Sequence, residues 1–266
     1  TLHLESDFFD MQYQSRSKYS EVIDYLTNAL KHYVPLLYDE HAEGGKESQT
    51  VNYADDYTIL KITTHEDANM LFDAIVGGLV MAPDTQATMM LNPGTNLLSL
   101  QASSETLEYA GVLMANYKLD INNRSDSLSM WLNSSCIYLG SRPIMPNFSL
   151  TGGAQRNRIT LSAGFRDKSN SESGLFGIRA QFKRNEQTRR RSVHIDLTPS
   201  HYTTSTQQWR LLSRGIDIDS THVNIRNFML TRPGQRLVIN GVASRERTDS
   251  MRVTLENFDL SPLSAI

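Results

Sequence analysis

The histidines and carboxylates are the residues whose types could do chemistry here. His3, His32, His41, His65, His194, His201 and His222 are scattered along the chain. No two stand in the H-x-x-x-H spacing that sets a pair of ligands on one helix face. His194 and Asp196 lie two apart, so on a strand they project from the same side, as an acid/base pair or half of a metal site would. Two groups alone do not make a catalytic constellation, and a surface or turn position is the simpler reading of each histidine. Asp55-Asp56 and Asp217-x-Asp219 bring carboxylates together, but calcium takes about six to eight oxygen ligands and neither run supplies the rest. The chain has no P-loop, no G-x-S-x-G and no G-x-G-x-x-G; Gly77-Gly78 and Gly152-Gly153 read as turns. Cys136 is the only cysteine, which excludes an intrachain disulfide and a Cys-based metal site and suits a small buried hydrophobe. The expectation is a non-enzymatic chain with no catalytic residue, metal or cofactor.

Charge points the same way. Lys plus Arg number 26 and Asp plus Glu 29, a net charge of −3, so no basic excess directs the chain to nucleic acid. Aromatics and basic residues are not interleaved as in a single-strand nucleic-acid platform. The run Arg189-Arg190-Arg191, close to Lys183 and Arg184, could meet acidic headgroups or a partner, but charge at strand ends commonly keeps sheets soluble, and a solvated hairpin turn is preferred. No apolar run approaches the ~20 residues of a spanning helix. Thr1 opens inside an alternating pattern (Leu2, Leu4) and the end at Ile266 is equally abrupt, as expected of a piece cut from a longer protein whose targeting or anchoring segments lie elsewhere.

Two stretches have helical spacing. Ser17 through Leu37 carries Val22, Ile23, Leu26, Leu30 and Tyr33 on one stripe, with Pro35 at its end. Thr64 to about Val76 carries Ala68, Leu71, Phe72 and Ile75, starts at a capping box of Thr64 with Asp67, and stops at Gly77-Gly78. Glu40 to Asn52, polar and glycine-containing, reads as a loop. From Thr85 onward the period is two: Ala87, Met89, Leu91; Leu98, Leu100, Ala102; Tyr117, Leu119, Ile121; Leu128, Met130, Leu132; Ile159, Leu161, Ala163; Phe176, Ile178, Ala180, Phe182; Val193, Ile195, Leu197. Turn residues separate these stretches, which is the pattern of an antiparallel meander with one wet and one apolar face. The organisation expected is a mixed strand/helix part over 1–84 and a sheet over 85–266.

The strand pattern repeats. Asn147-Phe148-Ser149-Leu150-Thr151, then Gln155-Arg156, returns 80 residues later (147 to 227) as Asn227-Phe228-Met229-Leu230-Thr231, then Gln235-Arg236. Val223-x-Ile225-x-Asn227-Phe228-x-Leu230 returns 30 residues later (223 to 253) as Val253-x-Leu255-x-Asn257-Phe258-x-Leu260. Such repeats suggest a stacked array. Within each unit Val253 and Leu255 have one parity and Phe258 and Leu260 the other. A strict period of two would split them between faces. One extra residue at Asn227 and at Asn257 restores a common face, which predicts β-bulges there. Bends at the same place in successive strands would curl the sheet into a trough.

These residues carry a resemblance. Val223 through Leu230, Leu237-Val238-Ile239-Asn240-Gly241, and Asp249 through Leu263 with its closing Asp259-Leu260 are similar to the repeat of TamB-like and AsmA-like proteins. The opening Leu2-x-Leu4-x-x-Asp7-Phe8-Phe9 also looks like the long version found in Bacteroidetes-type bacteria. The motif-level likeness covers Trp209 to Leu263; the two helical stretches depart from the plainest repeats. The resemblance implies a large periplasmic protein, anchored in the inner membrane, that serves outer-membrane biogenesis. It implies partners among phospholipid acyl chains and an Omp85-type outer-membrane barrel protein.

The expected architecture is therefore mainly β: an elongated, curled antiparallel sheet, trough-like or β-taco-like with solenoid character, and two N-terminal helices. The lipid-groove residues expected are Val223, Ile225, Phe228, Leu230, Leu237, Ile239, Val253, Leu255, Phe258 and Leu260. The rival is a β-rich carbohydrate-binding or adhesin module, for which only Trp131 and Trp209 offer indole platforms. A third possibility is that the apolar faces close into an ordinary sandwich core.

Overall fold

The computed structural model describes residues 1–16, 26, 30–38, 57–92, 94–123, 127–169, 171–185, 190–246 and 248–257. The chain divides into two units, Thr1–Arg156 and Asn157–Ile266. Both are antiparallel sheet, which the period-two sequence predicts from Thr85 onward, and the protein is mainly β.

The first unit holds β1 (Leu2–Glu5), β2 (Phe9–Ser15), β3 (Thr58–Thr64), β4 (Val80–Met81), β5 (Gln86–Asn92), β6 (Leu97–Tyr109), β7 (Val112–Asn122), β8 (Leu128–Leu139) and β9 (Arg142–Gln155). β1, β2, β3, β5, β6, β7, β8 and β9 pair in that order, and β4 pairs with the far end of β6. The register sets an apolar row across the sheet: Leu2, Tyr13, Leu60, Met89, Leu100, Ile121, Met130. Ala110-Gly111 closes the β6–β7 hairpin with both residues at positive φ (51° and 78°), the two-residue turn whose twist matches its strands.

Helical residues cover one end of this face. Leu91 and Leu98 are buried together, with Leu26, Met89 and Leu128 packed against them. Residues 30–33 are helical, and Tyr33 and Val34 are buried. The Tyr33 hydroxyl accepts a hydrogen bond from Asn123 Nδ2 at 2.8 Å. The helix predicted from Ser17 is described only at 26 and 30–38, where Val34 is non-helical and a short helix, Pro35–Tyr38, begins at the proline. Pro35 thus interrupts the helix as expected, and its fixed φ then suits a helical first turn. The predicted loop Glu40 to Asn52 lies outside the described residues.

The second predicted helix runs over Ala68–Ile75, shorter than Thr64 to Val76. The capping box is not formed: Asp67 is the N-cap and makes no side-chain capping bond. Thr64 ends β3 and is buried; its hydroxyl donates to the Ala82 carbonyl (3.2 Å) and accepts from the Thr85 amide (3.1 Å). A tertiary hydrogen bond has taken the oxygen that the local motif assigned to the helix. The end is as expected, with Gly78 at φ 79° and its amide on Asp73 Oδ1.

The second unit holds β10 (Arg158–Arg166), β11 (Ser173–Arg184), β12 (Arg191–Leu197), β13 (Ser200–Thr203), β14 (Gln208–Leu212), β15 (Ile216–Asp219), β16 (His222–Arg232), β17 (Gln235–Ser244) and β18 (Met251–Glu256). β11 pairs with both β12 and β13, and β16 with both β14 and β15. β12/β13 and β14/β15 are therefore two long strands, each broken in the middle. The first breaks at Thr198-Pro199, where proline cannot donate to the ladder. Gly177 lies against this break, and a Cβ there would reach within 2.0 Å of Thr198 Oγ1. The second breaks at Ser213–Gly215, and Gly215 has φ 120°.

The bulge predicted at Asn227 is present. β16 pairs Ile225 with Gly241 but Phe228 with Ile239, so one extra residue stands on β16. Asn227 is left-handed, φ 50°, and its amide donates to Asn240 Oδ1 at 3.1 Å. This bulge aligns with the break in β14/β15, since Leu212 faces Met229 and Ile216 faces Ile225. That break in turn aligns with the one in β12/β13. Asn257 is also left-handed, φ 48°, immediately after β18; the pairing that would show the bulge predicted there lies outside the described residues. The breaks in β12/β13 and β14/β15 and the bulge in β16 thus form a line across successive strands, along which this sheet curls.

Asparagine tolerates the left-handed region because its short side chain can bond locally, whereas a β-branched residue does not. Asn227→Val is expected to cost about 1–3 kcal/mol, and Asn227→Gly to stay within about 1 kcal/mol of the parent. Urea denaturation midpoints at equal m-value measure both.

Candidate functional site

Once the bulge resets parity, the described groove residues of the second unit fall on one face. Val223 faces Ala243, Ile225 faces Gly241, Phe228 faces Ile239 and Leu230 faces Leu237, all odd positions on the regular strand β17. Leu255 faces Leu237 and Val253 faces Ile239. Cross-strand rows result: Leu211, Leu230, Leu237, Leu255, and Ile159, Ala180, Ile195, Ile216, Ile225.

The structure thus brings eight of the ten predicted groove residues together; Phe258 and Leu260 lie outside the described residues. None of the eight is fully buried. Val223, Ile225, Phe228, Leu230, Leu237 and Ile239 are half-buried, while Val253 and Leu255 are 57% and 45% exposed. The described buried apolar side chains of this unit are Phe165 and Ala180. A face this wide would bury its leucines and isoleucines if a second layer sat on it.

The opposite face carries polar residues beside the row Leu212, Met229, Val238, and the would-be catalytic pair lies there, in a cluster not foreseen from sequence. His194 Nδ1 is 2.6 Å from Asp217 Oδ1 and its Nε2 is 3.1 Å from Asp196 Oδ1. Arg226 Nη2 is 2.9 Å from Asp217 Oδ2. Register makes the contact, His194 facing Asp217 across β12–β15. Gly215 makes room for it: a Cβ there would come within 2.6 Å of His194 Cε1. The two ring nitrogens point apart, so the two carboxylates do not converge on one point. Among the described residues no three His, Cys, Asp or Glu side chains form a metal-holding group. The cluster does what ion-pair networks do on a sheet, linking β12, β15 and β16.

Asp219 has a separate task from Asp217. Its Oδ1 accepts hydrogen bonds from the amides of Thr221 (2.7 Å) and His222 (2.8 Å) and from the Thr221 hydroxyl (2.9 Å), closing the β15–β16 hairpin. These bonds hold its carboxyl down to about 2. Asp55 and Asp56 lie outside the described residues. Of the basic run, Arg189 lies outside the described residues; Arg184 faces Arg191 at the ends of β11 and β12, and the Asn185 amide donates to the Arg190 carbonyl.

Trp131 is 41% exposed on the polar face of the first unit, where it pairs with Asp120 and Thr151. It borders a shallow hollow of about 300 Å³ with Gln86, Thr88, Gln101, Lys118 and Asp120. Trp209 is half-buried beneath the Arg232 guanidinium, 4.5 Å from ring centre to Cζ. Compared with known proteins, the chain matches no family model, no curated protein and no solved structure. No described helix is long and apolar enough to cross a membrane.

Two outcomes are expected. Because the folded-state value of Asp219 lies below its ordinary 3.8, its stabilisation is complete above that value and is lost as the pH falls toward about 2. The melting-temperature difference between the parent and Asp219→Ala should therefore shrink across that window. His194→Ala/Asp196→Ala should lower the melting temperature by a few degrees.

Proposed function

We propose that this chain is a non-enzymatic, lipid-accommodating scaffold segment of the bacterial cell envelope, of the TamB-like and AsmA-like kind. In this reading the apolar face of Asn157–Ile266 receives phospholipid acyl chains on their way to the outer membrane. The full-length protein is periplasmic and anchored in the inner membrane, and it works beside an Omp85-type barrel in outer-membrane assembly.

One observation carries the reading: a single continuous apolar face in which none of the eight described groove residues is fully buried. Burying a methylene contributes about 0.8 kcal/mol, so a chain of some sixteen carbons has roughly 12 kcal/mol of gross driving force. Ordering and translational losses remove about 4–15 kcal/mol. The net affinity is modest, which suits a surface along which cargo slides.

Photo-crosslinking tests the groove directly. Probes at positions 225 and 255 should yield phospholipid adducts by mass spectrometry, and probes at 224 and 254 should not. Adducts from the outward positions alone, or from none, would sink the proposal. Leu255→Arg should change stability by less than about 0.5 kcal/mol, since the site is already exposed, yet stop lipid passage, since an unpaired charge in an apolar path is costly.

Trp131 favours a second reading, a carbohydrate-binding module, because an exposed indole amid Gln101, Asp120 and Lys118 offers a stacking face ringed by hydrogen-bonding groups. Glycan binding that is lost in Trp131→Ala, with no lipid adducts at 225, would establish that reading instead.

A further inference from the structure

An indole stands within a polar row on the first unit. Register sets Thr88, Gln101, Asp120, Trp131 and Thr151 side by side across β5, β6, β7, β8 and β9. Gln86 and Lys118 lie two positions from Thr88 and Asp120, so they project from the same face. The apolar row through Met89, Leu100, Ile121 and Met130 projects from the other. Trp131 is 41% exposed and its direct cross-strand neighbours, Asp120 and Thr151, are polar, so the ring adds little to the core.

The hollow of about 300 Å³ beside Trp131 runs along this row as far as Thr88 and Gln86. Its floor is strand backbone and its polar side chains all come from the one face. Gln101 Nε2 donates to Asp120 Oδ2 at 2.9 Å, which fixes both groups. Among the described residues, the Thr88 hydroxyl, Lys118 Nζ and Trp131 Nε1 have no hydrogen-bond partner. Lys118 and Asp120 contribute one charge of each sign, so the hollow suits a neutral ligand. A pyranose is neutral, has a C–H face that lies flat on an indole, and carries hydroxyls around its edge that pair with amides, carboxylates and hydroxyls.

We infer that this row is an extended binding site for a linear, neutral glycan of about three pyranose units, laid across the strands from Trp131 to Thr88. The inference rests on the carbohydrate-binding reading of Trp131 and is independent of the lipid groove. The row crosses three inter-strand gaps, about 14 Å, which is longer than one sugar ring. One pyranose stacks on Trp131, the next meets Asp120 and Gln101, and the third reaches Thr88 and Gln86. A flat, unbranched chain fits because the strands that carry these groups form a continuous sheet. The indole supplies contact area, and the polar row fixes the direction of the chain.

Calorimetric titration of the whole chain with sugars of increasing length tests it, using glucose, cellobiose and cellotriose and, in parallel, N-acetylglucosamine, chitobiose and chitotriose. In at least one series affinity should rise with each added unit. Trp131→Ala should weaken the trisaccharide by at least about ten-fold, the loss of a stacked ring face, and Trp131→Phe should fall between. Thr88→Val, which keeps the shape and removes the hydroxyl, should weaken the trisaccharide and leave the monosaccharide unchanged. A rise with length in the chitin series alone supports the row and assigns it to acetamido sugars. If the monosaccharide binds as tightly as the trisaccharide and Trp131→Ala abolishes both, the carbohydrate reading stands and the extended row is overturned. Absence of binding in both series overturns the row and the reading together. Unweakened binding in Trp131→Ala overturns the site, and so does unweakened binding in Trp131→Phe should the alanine variant lose its far-ultraviolet circular dichroism.

Discussion

A β-strand assigns each side chain to a face by parity alone, and that constraint governs this structure. A strand that bends by taking in one residue sends everything beyond the bend to the opposite side. Here the bend and the sequence change parity together. Val223 and Ile225 precede the inserted residue, Phe228 and Leu230 follow it, and all four meet odd-numbered positions on the regular strand beside them. Asparagine is the residue that can stand at the insertion, because it tolerates the left-handed backbone and can be held by Asn240 from the next strand. Without that residue the sheet could be bent or one-sided, but not both.

The two units use their apolar faces differently. In the first, Leu26 and the segment carrying Tyr33 and Val34 lie on the sheet, so Leu91 and Leu98 are a true core. There the ordinary reading, that alternating hydrophobics exist to be covered, is correct. In the second, the same alternation produces rows that remain half-wet or exposed. The difference follows from helical residues: the first unit has them to cover its face, and the described part of the second is strand and turn.

Strand periodicity and the asparagine repeat were legible because both are local. The strands after Thr85 and the bulge at Asn227 could be read from a dozen residues each. A further copy, Asn116-Tyr117-Lys118-Leu119, is masked by tyrosine in place of phenylalanine. Asn116 and Asn147 share the left-handed backbone of Asn227 and Asn257, with φ of 48° and 47°, so asparagine, aromatic, any residue, leucine is the signal that would have found it. Contacts made by register were not legible. His194 and Asp196 are legible as a same-face pair, but Asp217 and Arg226, which complete their network, come from other strands. Thr64 misled for the same reason, its hydroxyl being engaged by Ala82 and Thr85 on a distant segment.

The uncovered face of the second unit has a thermodynamic consequence. The heat-capacity change of unfolding comes mainly from apolar surface newly exposed to water. Side chains such as Val253 and Leu255 are already about half in water before unfolding, so they add little to it. This unit should have a smaller heat-capacity increment per residue than a closed sandwich, and a flatter dependence of stability on temperature. An occupant on the face would change this by covering the same area, so the curvature of the stability curve reports whether the face is filled.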